Sequence, residues 1–151
     1  SMLKTFLARL RGETPDEAPM DESDTRTAVA ALLVHAARID DDYTDVERGL
    51  IEDILSYKYR LPADEAKTLR QEGEEADDTS VDAFRFTHVI KTSLSEDERF
   101  AVLQALWSVV LSDDDRGEHE DALVRKLVDL LGMSSIDSAH ARQKVEAAMR
   151  A

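Results

Sequence analysis

Leu32 to Leu55 reads LLVHAARIDDDYTDVERGLIEDIL, and Ala105 to Val128 reads ALWSVVLSDDDRGEHEDALVRKLV. A shift of 73 residues lays one on the other, matching Asp40 to Asp113, Asp41 to Asp114, Asp42 to Asp115 and Glu47 to Glu120. The apolar positions agree too: Leu50 with Leu123, Ile51 with Val124, Ile54 with Leu127. With one residue of slip, LPADEAKTLRQ (61–71) lies over MSSIDSAHARQ (133–143), so the likeness reaches a third segment. Apolar residues at helical spacing flank each run of three acids, which predicts helix, acidic loop and two further helices, present twice. A solenoid needs more copies of a shorter unit. Two similar units that pack together commonly do so about a pseudo-twofold axis, which would bring equivalent loops to related places.

Composition points the same way. The chain has 151 residues, enough for one domain with a core, and only five glycines and three prolines, too little turn chemistry for a sheet protein. The expected fold is all-α: a compact bundle of about seven helices, in two pseudo-twofold-related three-helix units plus a bridging helix.

In the first unit Val29, Leu32, Leu33 and Ala36 make one apolar stripe and Val46, Leu50, Ile54 and Tyr57 another, predicting an antiparallel hairpin. Thr44 with Glu47 forms a capping box, and Pro62, Asp64 and Glu65 open a third helix running to about Glu75. A bridge follows from about Val81 to Thr92, with Phe84, His88 and Val89 toward the core. Ser95 and Glu98 cap the most apolar helix, carrying Phe100, Leu103, Leu106, Trp107 and Val110, which is expected at the centre. Gly132 ends the helix of Leu123, Val124, Leu127 and Leu131, and Ser134 to Arg150 forms the last.

Residues 1–23 stand apart from the domain at 24–151. Leu3, Phe6, Leu7 and Leu10 lie at helical spacing beside Lys4, Arg9 and Arg11, a short basic amphipathic helix suited to the domain's own acidic face, a partner or a membrane surface. GETPDEAPMDES (12–23) reads as an acidic, proline-containing linker.

The 33 acids outnumber the 19 Lys and Arg, for a formal charge of −14, which repels nucleic acid and anionic lipid. The absence of cysteine removes disulfides, thiolate catalysis and cysteine zinc sites, and fits a reducing compartment. No run approaches the roughly 18 apolar residues of a membrane span. The expected location is cytoplasmic, peripheral at most to the inner face of the membrane, and the protein is not expected to be an integral membrane protein.

The repeated acids carry the functional reading. An Asp ending one helix and a Glu seven residues later, in the first turn of the next, can face one corner, and hard cations such as Ca²⁺, Mg²⁺ or Mn²⁺ take oxygen-rich clusters of that kind. Asp40 and Asp113 also sit at the negative end of a helix dipole, where a cation is favoured. The competing reading is capping and solvation. Neither loop is an EF-hand, because the glycine at its sixth place and the glutamate at its twelfth are missing. Motifs for a di-iron bundle, a zinc protease, a phosphate loop or a serine hydrolase are absent. His35 and His88 read as core or core-edge residues, and His119 and His140 as exposed ones.

The twice-present arrangement of Asp, acidic residue, short turn, Glu and second helix resembles the TerB family, helical proteins associated with tellurite resistance and wider chemical stress in bacteria. The resemblance covers roughly residues 24–149. It implies an all-helical fold, an acidic metal-binding cluster, action by binding to other proteins in membrane-linked stress complexes, and no catalysis. By position the cluster is Asp40 and Asp113 with Glu47 and Glu120, and more loosely Asp42 and Asp115. Many members have glycine after the first Asp, where this chain has Asp41 and Asp114; Asp is among the few other residues that tolerate a left-handed turn. The leading expectation is a non-enzymatic binding domain holding a divalent cation or a basic partner segment. The alternatives are a structural protein–protein adaptor without a metal site and, last, a metal-dependent hydrolase.

Overall fold

The computed structural model describes residues 3, 22–39, 42–81, 83–112 and 118–151, with backbone alone at 22 and 118–120. Among the described residues the chain forms seven helices and no strand: α1 (Glu22–Ala37), α2 (Asp45–Tyr59), α3 (Ala63–Asp78), α4 (Phe84–Ser93), α5 (Glu96–Leu111), α6 (Glu118–Leu130) and α7 (Ser135–Arg150). The third helix runs three residues beyond its expected end. The amphipathic segment and linker expected within 1–23 lie almost wholly outside the described residues.

The centre belongs to α1, and α5 lies beside it. Every residue from Ala28 to Val34 is buried, with Ala36 and Ala37 following, so this helix is covered all round rather than along one stripe. Its five buried alanines let neighbours approach closely from several sides. α5 contributes seven buried residues, from Val102 to Val110, but its first turn of Glu96, Asp97 and Glu98 is exposed.

In each unit the first helix packs chiefly on the third: α1 on α3 and α5 on α7. That corrects the expected hairpin of α1 with α2, which meet less extensively. Gly73 of α3 explains the preference, since it brings backbone against backbone at Ala30 and Ala31.

Two expected core faces are also corrected. On α2 the buried residues are Ile51 and Leu55, while Val46 and Tyr57 of the predicted stripe are 79% and 91% exposed. Leu50 and Ile54 of the same stripe are half-buried, Ile54 against the core, so the predicted stripe straddles the edge of the packed face and its two ends point outward. On α4 the buried face is Phe86, Thr87, Val89 and Ile90, whereas Phe84 and His88 stack on each other outside. Thr87 can be buried because its hydroxyl donates to the carbonyls of Ala83 and Phe84.

The caps follow the local sequence. Thr44–Glu47 and Ser95–Glu98 form the expected capping boxes, and Ser134–Asp137 forms a third, with Asp in place of the usual Glu. Gly132 ends α6 at φ 71°, and Arg99 Nη1 donates to the carbonyls of Leu131 and Gly132, placing a cation at that helix's negative end.

Candidate functional site

The first acidic loop joins α1 to α2, and both its ends are fixed by charged side chains from three helices. Before it, Arg38 Nη1 donates to Asp77 Oδ2 at 3.2 Å and Asp78 Oδ1 at 2.8 Å, both at the end of α3. His35 Nδ1–H donates to the other Asp77 oxygen at 2.9 Å. After the loop, the ring of Tyr43 lies against two guanidiniums, 5.1 Å from Arg38 Cζ and 4.3 Å from Arg48 Cζ. One cation from before the loop and one from after it therefore meet on one aromatic ring.

Beneath Tyr43, Arg70 of α3 is buried, 7% exposed, between Glu52 of α2 at 2.7 Å and Glu74 one turn on at 2.8 Å. Arg48 reaches Asp45 at 2.9 Å and Glu74 at 3.7 Å. Guanidinium suits this place because it stays charged and presents several donors in a fixed plane.

The electrostatics follow from burial and pairing. Burial alone would raise the Asp77 carboxyl, but the hydrogen bonds and charges of His35 and Arg38 outweigh it and hold Asp77 below its ordinary value. Burial lowers Arg38 and Arg70, and their carboxylate partners more than reverse this. Burial, then Glu74, pushes the Tyr43 phenol well up, and its hydroxyl is buried without a partner in hydrogen-bond geometry. Tyr43 thus serves as a neutral aromatic plate.

The proposed cation ligands fare unevenly. Asp40, Asp113 and Asp115 lie outside the described residues, and Glu120 is described only as part of the α6 backbone. Asp42 is exposed at the start of the described stretch after the loop. Glu47 Oε1 accepts from the Thr44 backbone N–H at 3.0 Å and the Thr44 hydroxyl at 3.2 Å, so one carboxylate oxygen is engaged in the cap. Among the described residues no three Asp, Glu or His side chains are grouped as a metal ion would need. Of the histidines, His35 is at the core edge and His140 is exposed as expected; His88 is exposed, and His119's side chain lies outside the described residues.

Arg70, Glu74 and Asp77 were not evident as site residues from the acidic loops. A signal was present: Arg-Gln recurs at 70–71 and 142–143, and Arg142 pairs with Glu146 one turn on, as Arg70 does with Glu74. The rest of the network is particular to the first unit, because the repeat places Arg125 where Glu52 stands and Arg116 where Tyr43 stands.

Residues 26–143 match the family model described as tellurite resistance protein TerB, which covers most of the chain. The chain belongs to the TerB family. The all-helical architecture agrees with a TerB domain, and the match takes in both acidic loops and the Arg70 network. No curated protein and no solved structure matches the chain. No described helix of this TerB domain is long and apolar enough to cross a membrane.

Proposed function

We propose that this TerB domain acts by binding rather than by catalysis, as part of a bacterial response to tellurite or related chemical stress. Its ligand is cationic, a hard divalent ion or a basic protein segment, received at the acidic loops by Asp40, Asp42 and Glu47 with Asp113, Asp115 and Glu120.

The charge balance beneath the first loop supports this reading best. The three guanidiniums of Arg38, Arg48 and Arg70 are shared among five carboxylates, those of Asp45, Glu52, Glu74, Asp77 and Asp78. With Asp40, Asp41 and Asp42 counted from the sequence, eight carboxylates stand against these three guanidiniums, so this end of the domain carries a formal excess of negative charge. Holding the loop's two ends reduces the ordering cost of binding a cation there. Tellurite, an oxyanion, is disfavoured at such a place.

The test is an amide-shift titration of metal-stripped protein with Ca²⁺, Mg²⁺ and Mn²⁺, and separately with a lysine-rich peptide, beside Asp40→Asn/Asp113→Asn. Saturable shifts in both loops with one of these ligands, lost in the double variant, are expected. Weak shifts that never saturate and spread over many surface acids would overturn the reading.

A further inference from the structure

On the opposite side of α2 from the ion network, α2, α5 and α7 enclose an open groove of about 1220 Å³. Ile54, Ala101, Ala105, Val145 and Ala148 line it, with Tyr57 and Met149, both large and well exposed, among its other apolar walls. This is where the outward face of α2 lies. An apolar channel between three helices is the geometry by which an amphipathic helix, about 10–12 Å across, is received.

The polar lining has the wrong sign for this chain. Lys58, Arg60 and Lys144 line the groove with one acid, Asp53. At its end a smaller cavity of about 330 Å³ shares Lys58 and Arg60 and adds Arg26 and one further acid, Glu98. Four cations and two anions thus border an apolar channel in a protein whose net charge is −14. Lys58 is half-buried, and burial lowers its ammonium more than Glu98 raises it, which leaves a cation that would gain from further negative charge nearby.

We infer that this groove is a docking site for an acidic amphipathic helix of a partner protein, its apolar face on Ile54, Val145 and Met149 and its carboxylates against Lys58, Arg60 and Lys144. The same charges disfavour the other occupants. The chain's own segment at 2–11 carries Lys4, Arg9 and Arg11 and no acid, so the rim repels it. A second copy, itself at −14, and an anionic membrane, too flat to enter the groove, would set their charge against the acidic protein as a whole, whereas a single helix lying in the groove meets its cations first. The proposal involves none of the acidic-loop residues.

Two synthetic peptides test it on the full chain: a 16-residue helix with Leu and Phe at i, i+3, i+4 and i+7, bearing Glu on its polar face in one version and Lys in the other. Methyl spectra should show saturable shifts of Ile54, Val145 and Met149 with the Glu peptide and at least tenfold weaker binding of the Lys peptide. Lys58→Glu/Lys144→Glu, checked for an unchanged helical spectrum, should reverse that preference, and Lys144→Glu alone should lessen it if the double variant fails to fold. Equal binding of both peptides, or none at these methyls, would overturn the proposal. So would groove methyls that answer the Glu peptide only after residues 2–12 are removed, that report self-association on concentration, or that respond more strongly to anionic vesicles than to the Glu peptide.

Discussion

Gly73 and Ala30 touch backbone to backbone: a Cβ on Gly73 would lie 2.8 Å from both the carbonyl carbon and the Cβ of Ala30. This close crossing lets α3 rather than α2 become the main neighbour of α1, and so brings Arg70, Glu74 and Asp77 beside Arg38, Tyr43 and Arg48, the residues that flank the acidic loop. Gly73→Ala would gain up to about 1 kcal/mol in helix propensity. The overlap opposes it with backbone that cannot swing away, and overpacking of this kind costs about 1–3 kcal/mol. A lower thermal midpoint is expected. Gly49, also in a helix but with nothing within 4 Å of its would-be Cβ, is the control, and Gly49→Ala should raise the midpoint. The crossing would not be tight as described if both substitutions stabilised equally.

Arg70 gives a sharper prediction. Removing it leaves Glu52 and Glu74 facing each other across α2 and α3 without their shared cation, and breaking a buried pair from one side costs about 3–5 kcal/mol. Arg70→Met should therefore destabilise strongly in urea unfolding. Arg70→Met with Glu52→Leu and Glu74→Leu should recover much of the loss, because no uncompensated charge then remains. A triple variant as unstable as the single one would show that packing, not charge pairing, is what Arg70 provides.

Much of the fold was legible because the repeat marks the same three helices twice, and because Thr44, Ser95 and Gly132 stop or start helices by local chemistry that tertiary contacts did not alter. Faces were less legible. Val46, Leu50, Ile54 and Tyr57 are as regular a stripe as any in the chain, yet Ile51 and Leu55 won the core, since spacing shows that a face is apolar and not what will cover it. The surroundings of the candidate site were less legible for a similar reason. Acids are conspicuous in the loop's sequence, whereas the ion network at its ends includes Arg70 and Asp77, which lie far along the chain and are brought near Arg38 and Tyr43 only by the fit of Gly73 on α1.

Asp77 should impose a pH dependence of definite sign. Its folded-state carboxyl lies below the unfolded value of about 3.9, so its contribution is complete above that value and is lost as pH falls through the folded value. Asp77→Asn should cost about 1–3 kcal/mol near neutral pH, the range for buried hydrogen bonds to charged groups. The gap between parent and variant should narrow below about pH 4. Urea unfolding at pH 7, 5 and 3 would show this, and a gap of constant size would mean that the carboxylate charge is not its source.

The second unit offers its own test through the single tryptophan. Trp107 is buried, and its Nε1–H donates to Ser138 Oγ at 3.1 Å, which ties α5 to α7 at the contact equivalent to that of α1 with α3. Arg142 lies over the same ring, 5.0 Å from its centroid, so Trp107 carries a hydrogen bond at its edge and a cation on its face. Ser138→Ala removes only the acceptor and leaves a buried indole N–H unpaired, for about 1–3 kcal/mol. Arg142→Ala, acting on a partly exposed cation, should cost less, about 0.5–1 kcal/mol. Since Trp107 is the only tryptophan, its emission reports both changes directly. Ser138→Ala is expected to alter the folded-state spectrum and lower the unfolding midpoint more than Arg142→Ala; the reverse order would mean that the cation, not the hydrogen bond, holds α7 on α5.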